Sequence, residues 1–278
     1  MQYFEKKDDL GRRMLLLTDG RTEIGIALDF GIRILHLSCA GQENLFYQQP
    51  PDCSDGFSKP TGWRLYGGHR MWLAPQNQLV YHGDNTPVHY TLSENGITVM
   101  QDPDPLSGLE KELTVHFTEN GHVRLLHRFH NRTDRVITGA SWSINTFDRG
   151  GKATVSFVGS DRSDLNPRRI LSLWGNTNLS DPRIHFTEDS LSVTHIPLDA
   201  FFKLGLYSKT GMAVFENKQQ RLTLSFEAPP IESLCDHGCN FELYMCSRFL
   251  ELEPLGARTD IAPGQCASHW EDWYLEPV

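Results

Sequence analysis

The sequence lacks the motifs that mark several large classes of enzyme. It has no Gly-rich phosphate loop before a helix, no Gly-x-Ser-x-Gly elbow and no His-Glu-x-x-His pair. It also lacks a basic excess, because 26 Lys and Arg stand against 35 Asp and Glu, for a formal net charge of -9. Nucleic acids and anionic membranes attract basic surfaces, so we expect neither as a partner.

Long hydrophobic runs are missing as well. The longest, such as Met14 to Leu17, are far too short to cross a bilayer. The amino-terminal residues do not show the charged, apolar and small pattern of a secretory signal. We therefore expect a cytoplasmic protein whose six cysteines are reduced thiols.

Metal-ligand patterns are sparse. Cys235, His237 and Cys239 form the only dense group, and no second pair has the spacing of a zinc site. The alternative, a turn with two free thiols, is favoured. His127 and His130 would point to opposite faces of a strand, so they make a poor metal pair. We expect no metal and no cofactor.

Short segments of alternating apolar and polar residues, separated by turn residues such as Asn95-Gly96 and Asn120-Gly121, make up most of the chain. No amphipathic helix of three turns, fixed repeat or interdomain linker is evident. Many short strands at this spacing predict an all-β fold, a large antiparallel β-sandwich, as a single domain over residues 1–278. The stretch from Gln48 to Thr61 is rich in Pro, Ser and Asp and indicates a long surface loop, one that could cover a site. The alternating segments are 23–29, 31–37, 97–100, 111–117, 123–129, 153–157, 191–195, 212–215, 222–226 and 241–245.

The first candidate site follows two glycines, Gly67 and Gly68, which allow the backbone to bend or to approach a ligand closely. His69 can donate or accept a proton near neutral pH. Arg70 offers a planar set of donors for hydroxyls or a carboxylate, and Trp72 offers a flat apolar face for a sugar ring. The alternative is a glycine turn followed by a core Trp and a surface Arg.

The second candidate is a pair of carboxylates, Glu251 and Glu253. Strand alternation places them on one face, roughly 7 Å apart, with Leu250 and Leu252 on the other. Two carboxylates this close repel each other, so one can have a raised pKa and act as a base near neutrality. The alternative is an exposed strand with two solvated glutamates.

The third candidate combines aromatic and charged residues from three further segments. Trp174 and Arg183 lie in a polar loop, whereas Trp142 and Lys203 each interrupt an apolar strand. A lysine in such a run is costly to bury unless it is paired. The alternative for Lys203 is a charge that protects an edge strand from aggregation.

Taken in order, these segments resemble the galactose mutarotase-like superfamily over most of the chain. Leu252-Glu253-Pro254 resembles the tripeptide that holds the catalytic Glu of aldose 1-epimerases. The similarity is greatest to an uncharacterised bacterial branch with a Gly-Gly-His-Arg-x-Trp motif, and it implies that superfamily's β-sandwich, a supersandwich. The segments that carry it are Gly25 to Tyr47, Gly67 to Pro75, Trp142 to Gly151, Trp174 to Arg183, Lys203 to Gly205 and Phe249 to Trp273.

The resemblance also implies a chemistry. In aldose 1-epimerases a Glu removes the proton of the anomeric hydroxyl while a His protonates the ring oxygen, and the ring opens and closes again. This implies Glu253 as the base, with Glu251 as a residue that could share the role. The family's second His is missing here, and His82 resembles the first. His69 is then the better candidate for the acid, with Arg70 and Lys203 as anchors for the substrate.

Two classes of function remain open from the sequence. One is an aldose 1-epimerase-like enzyme that acts on a sugar or an anionic sugar derivative. The other is a non-catalytic protein that binds or senses a carbohydrate by stacking it on Trp72, Trp142 or Trp174. In both cases the partner is a small carbohydrate, and nothing in the sequence specifies an oligomeric state. Arg70, Arg183 and Lys203 indicate an anionic ligand if they converge.

Overall fold

The structure is a computed structural model that describes residues 1–51, 53, 62–82, 84–157 and 169–278. Most of the loop expected between Gln48 and Thr61 lies outside these residues. Two short 3-10 helices, Gln78–Tyr81 and Ile231–Ser233, are the only helices among them. In chain order the strands are β1 (Gln2–Lys7), β2 (Arg13–Thr18), β3 (Thr22–Ala27), β4 (Arg33–Cys39), β5 (Gly68–Ala74), β6 (His89–Ser93), β7 (Gly96–Met100), β8 (Leu109–Phe117), β9 (His122–Asn131), β10 (Ile137–Asp148), β11 (Lys152–Ser156), β12 (Leu171–Leu173), β13 (Ile184–Phe186), β14 (Ser190–Thr194), β15 (Phe202–Leu206), β16 (Met212–Asn217), β17 (Gln220–Phe226), β18 (Phe241–Met245), β19 (Phe249–Pro254), β20 (Thr259–Ile261) and β21 (Cys266–Pro277).

These strands form two antiparallel sheets. The first has the order β1-β2-β3-β4-β5-β10-β19-β18-β15-β12, with β20 paired to β10, and the second has the order β13-β14-β11-β16-β17-β21-β9-β8-β7-β6. The all-β class and the large antiparallel sandwich predicted from the sequence are confirmed. None of the helices in the described part of the chain has the length and apolar character needed to cross a bilayer.

The main hydrophobic core lies between the two sheets. Strand alternation supplies it: Leu250 and Leu252 of β19 point inward from the first sheet, while Val123, Leu125 and Phe129 of β9 point inward from the second. All five side chains are buried. The residues that alternate with them on β19 must face the other way, so Glu251 and Glu253 lie on the outer face of the first sheet.

Five adjacent strands bring the candidate residues together on that outer face. In the order β5-β10-β19-β18-β15, Trp72 pairs with Trp142, and Glu253 lies directly opposite Glu242. Lys203 of β15 is one strand further along. Directly opposed side chains in an antiparallel pair have Cβ atoms about 4.5–5.5 Å apart, which brings Glu253 and Glu242 together. Lys203 lies opposite Tyr244 and reaches Glu242 diagonally across the strand pair.

The two glycines before β5 serve the backbone rather than a ligand. Both have positive φ angles, +88° at Gly67 and +70° at Gly68. A Cβ atom would lie 2.0 Å from the carbonyl oxygen of Tyr47 at the first position and 2.1 Å from that of Ile34 at the second. Only glycine fits this close approach of neighbouring chain segments, which sets the entry of β5 into the sheet.

Candidate active site

A pocket of about 190 Å³ opens on the outer face of the first sheet. It shares Gln76, Tyr81, Trp142 and Lys203 with an adjoining space of about 430 Å³. A larger cleft of about 670 Å³ elsewhere contains none of the residues predicted from the sequence. The first pocket is lined by Trp63, Leu65, Arg70, Trp72, Gln76, Tyr81, Trp142, Ile144, Lys203, Tyr244, Phe249, Glu251 and Glu253.

Aromatic side chains form much of the pocket wall. Trp72 packs edge-on against Trp142 with ring centroids 5.4 Å apart and against Tyr81 at 5.1 Å. Trp63 lies 5.5 Å from Trp72. The rings therefore restrict one another's orientation by packing, and they present a rigid apolar surface beside the charged groups of the site.

Glu253 is the carboxylate at the base of this pocket. Its side chain is 1% exposed, and its Oε2 accepts hydrogen bonds from Trp142 Nε1 at 3.0 Å and from Lys203 Nζ at 3.3 Å. Burial raises its pKa, against the opposing effect of the Lys203 charge. Within the described residues no hydrogen bond occupies its Oε1. The side chain is thus oriented through one oxygen and has the other available.

Lys203 lies between two carboxyl groups. Its Nζ is 2.6 Å from Glu242 Oε2 and 3.3 Å from Glu253 Oε2, and it contacts the rings of Trp142 and Trp174 at 4.9 and 5.1 Å. Burial lowers the pKa of this ammonium, but the neighbouring carboxyl groups, Glu253 first and Glu242 second, outweigh burial and raise it. β15 is paired on both sides, so the edge-strand alternative for Lys203 does not apply.

Glu242 is a site residue that the sequence analysis missed. It is fully buried, and burial raises its pKa from 4.5 to about 8 against the opposing effect of Lys203. Burial therefore favours the protonated form of this carboxyl group, whereas Lys203 is held in its charged form. The only available signal was its position in the alternating strand 241–245, and nothing in the sequence shows that this strand pairs with the one holding Glu253.

Glu242→Gln tests this protonation state. Because the pKa of Glu242 is raised on folding, its stabilising contribution is present at acidic pH and is lost as the pH rises through about 8. The free energy of unfolding of the wild type, relative to the variant, should fall between about pH 5 and pH 8, by up to about 1.4 kcal/mol per pH unit. Urea unfolding of both proteins across this range gives the difference. A flat or rising difference would contradict a neutral Glu242.

Glu251 forms a separate pair with Arg70. Its Oε1 accepts hydrogen bonds from Arg70 Nη1 and from Thr146 Oγ1, both at 2.8 Å. The guanidinium stacks 4.6 Å from the ring of Trp72. Glu251 is thus engaged in holding a cation, which makes Glu253 the better placed of the two predicted carboxylates to accept a proton.

The prediction that His69 shares a cavity with Glu253 is wrong. Adjacent residues on a strand point to opposite faces, and because Arg70 faces the pocket, His69 faces the core between the sheets. There its Nδ1 lies 2.8 Å from Asn145 Oδ1, and its Nε2 lies 3.0 Å from His127 Nε2. His69 therefore has no route to a sugar bound beside Glu253.

Two predicted substrate-binding residues also lie away from the pocket. Arg183 is buried in a double interaction with Asp181, at 2.9 and 2.6 Å, and donates to the carbonyl of Ala200. His82 lines a different cavity of about 270 Å³. The condition for an anionic ligand, that Arg70, Arg183 and Lys203 converge, is therefore not met, because Arg183 is bound locally by its own loop.

The remaining predicted residues are brought together. Arg70, Trp72, Trp142, Lys203 and the two glutamates line the first pocket, and Trp174 lines the adjoining space. The adjoining space also contains residues that were not predicted as site residues, Glu242 and the exposed His237. His237 belongs to the turn that was considered, and set aside, as a metal site.

Comparisons with known proteins are informative only at the level of the fold. No protein-family model matches the chain, and no curated protein matches it in sequence. A galactose mutarotase-like protein from Lactobacillus casei has 13% identity and a TM-score of 0.63, covering 95% of this chain and 100% of its own. Another from Clostridium acetobutylicum has 10% identity and a TM-score of 0.62, covering 100% and 99%. A galactose mutarotase related enzyme from Lactobacillus acidophilus has 10% identity and a TM-score of 0.56, covering 95% and 97%. The chain has the galactose mutarotase-like fold.

Proposed function

We propose that this chain, on its galactose mutarotase-like fold, binds a small neutral carbohydrate and interconverts its anomers as an aldose 1-epimerase-like enzyme. The observation that carries the proposal is the arrangement around Lys203. Two buried carboxyl groups, Glu253 and Glu242, contact the same ammonium beside an aromatic pocket. A base and an acid near one small cavity are what ring opening of a cyclic sugar requires.

The charge balance of the site favours a neutral ligand over an anionic one. Arg70 is paired with Glu251, and Lys203 is paired with Glu253. Glu242 also contacts Lys203, so two cations face three buried carboxyl groups, and no positive charge is left to attract a phosphate or a carboxylate. The aromatic wall and these polar groups together suit the apolar face and the hydroxyl groups of a sugar ring.

The reaction follows from this placement. Glu253 Oε1 takes the proton of the anomeric hydroxyl, the C1–O1 bond becomes a carbonyl, and the bond from C1 to the ring oxygen breaks. The ring oxygen takes the proton of Glu242. Rotation about the C1–C2 bond and reversal of both proton transfers close the ring on the other face. Lys203 lies between the two carboxyl groups, so its positive charge stabilises the carboxylate of Glu253 before the proton transfers and that of Glu242 after them.

A non-catalytic carbohydrate-binding protein is the second candidate. Two observations favour it. The first is that the lining of the pocket that contains Glu253 includes no histidine in the described part of the chain. Glu253 Oε2 is also already bound by a cation. A protein that only binds would keep the aromatic wall and the polar groups without accelerating ring opening.

Saturation-transfer NMR on a panel of neutral aldoses separates the two candidates. We expect the protein to accelerate interconversion of the anomers of at least one aldose by tenfold or more over buffer of the same pH. Sugar phosphates and uronic acids serve as the anionic comparison set and should be poorer substrates. Binding of a sugar with no acceleration of any member of the panel would instead support the non-catalytic candidate.

A further inference from the structure

A second polar cluster lies behind the pocket, in the core between the sheets. It consists of His127 on β9 with His269 and Glu271 on β21, and none of the three is more than 1% exposed. His69 of β5 joins it from the first sheet. The proposed reaction uses none of these groups. Burying titratable residues in an apolar core costs free energy unless hydrogen bonds, a counter-charge or a metal ion compensate for it.

The backbone arranges the three residues as a ligand set. His127 and His269 lie directly opposite each other in the β9–β21 pair, and Glu271 is two residues further along β21 on the same face. One ligand atom from each, two imidazole nitrogens and a carboxylate oxygen, lie within 4.8 Å of one another. Two histidines and a glutamate are an established donor set for Zn²⁺.

The hydrogen-bonding groups of His269 are not fully satisfied within the cluster. Both of its ring nitrogens are buried, and neither forms a hydrogen bond of good geometry within the described residues; the backbone of Glu227 is the one hydrogen-bonding group near the ring, which leaves at least one nitrogen lone pair unmatched. A buried polar group without a partner destabilises the fold. A metal ion bound to one of these nitrogens would satisfy the lone pair that the protein leaves unmatched.

The contact between His127 and His69 points to the same conclusion. His69 Nδ1 donates to Asn145 Oδ1, because the amide nitrogen of Asn145 faces two acceptors, the carbonyl of Leu252 and Glu271 Oε2. His127 Nδ1 donates to the carbonyl of His269. Two neutral rings then face each other through the lone pairs of their Nε2 atoms at 3.0 Å. Lone pairs at this distance repel unless a cation lies beside them.

Glu271 lacks a cation as well. The donors to its carboxylate are Ser143 Oγ, Trp273 Nε1 and Asn145 Nδ2, all neutral, and no Lys or Arg forms an ion pair with it in the described part of the chain. A buried carboxylate without a counter-charge is costly. A divalent ion would supply that charge at the point where the imidazole lone pairs lie.

We propose that His127, His269 and Glu271 bind a divalent transition-metal ion, Zn²⁺ in the first instance, in the core between the two sheets. His69 Nε2 is available as a fourth donor. The site is closed on all sides, so the ion is structural, and it links β9 and β21 of the second sheet with β5 of the first. The sequence predicted no metal because His127 and His269 are far apart in the chain and no motif connects them.

Metal analysis of the full chain, purified without a polyhistidine tag, tests the proposal. We expect close to one metal ion per chain by mass spectrometry. After removal of the ion with a chelator, Zn²⁺ should raise Tm by about 5 °C or more. Co²⁺ should give the visible absorption bands of a site with nitrogen and oxygen ligands. No bound metal, no Zn²⁺-dependent rise in Tm and no Co²⁺ bands would overturn the proposal.

His269→Leu gives the sharper test. If His269 is a metal ligand, its loss should not lower Tm in chelator; if it only packs in the core, its loss should lower Tm. The variant should bind no metal and show no response of Tm to Zn²⁺, yet in chelator it should unfold at or above the temperature of the wild type, since a buried imidazole without a hydrogen bond of good geometry is gone. His116→Gln, an exposed histidine on β8, is the matched control and should retain the metal. Metal retained in His269→Leu, or lost in the control, would place the ion elsewhere and overturn the assignment. If His269→Leu does not fold, His127→Gln should likewise bind no metal, and the Co²⁺ bands of the wild type should still be present. Metal retained in His127→Gln, or no Co²⁺ bands in the wild type, would overturn the assignment.

Discussion

Glu253→Gln is expected to lower the rate of anomer interconversion by about 10³-fold while sugar binding changes by less than about threefold. Glutamine has the same shape and can still accept the hydrogen bond of Trp142. It cannot take a proton from the anomeric hydroxyl, so the loss should fall on turnover. The measurement pairs saturation-transfer NMR for turnover with calorimetry for binding, on the substrate that the aldose panel identifies.

Glu251→Gln is the matched control for this result. It removes a carboxylate from the same strand and the same pocket, but one that is engaged with Arg70. Because Glu251 holds a cation and has no assigned proton transfer, we expect this variant to lose less than about tenfold in turnover. Unchanged turnover in Glu253→Gln would remove Glu253 as the base. Equal losses in the two variants would indicate that the pocket charge, and not a proton transfer, limits the rate.

Lys203→Met is expected to destabilise the fold by about 3–5 kcal/mol at neutral pH. The substitution keeps an apolar side chain of similar length but leaves the buried Glu253 without its cation and Glu242 without its neighbour. The cost should rise with pH, because Glu242 ionises as the pH passes about 8. Urea unfolding at about pH 7 and about pH 9 measures both effects.

The double variant Lys203→Met with Glu253→Gln separates charge from packing. Once the carboxylate is gone, the absence of the ammonium should cost much less, so the two substitutions should be strongly non-additive. Lys152→Met, at an exposed position on β11, is the control and should change stability by less than about 0.5 kcal/mol. A cost below 1 kcal/mol for Lys203→Met would contradict a buried charge network around Lys203.

Much of the candidate site could be predicted from the sequence. Trp142 and Lys203 stood out because each interrupts an apolar strand, and Glu253 stood out through alternation and a tripeptide. The assignment of His69 was avoidable, because a residue adjacent to Arg70 on a strand points to the opposite face. Arg183 could not be excluded in the same way, since its partner Asp181 is a contact within an irregular loop.

Alternation along each segment, readable from the sequence alone, determined that this protein is built of strands and which side chains share a face. The reason is local: side chains on a strand have a period of two, and the apolar row must leave water. Only the tertiary structure decided which strands are neighbours. It placed Glu242 opposite Glu253 and His127 opposite His269, although each pair comes from separate segments of the chain. Strand order and register depend on packing between distant segments, so the proposed acid and the proposed metal ligands became visible only once the sheets were assembled.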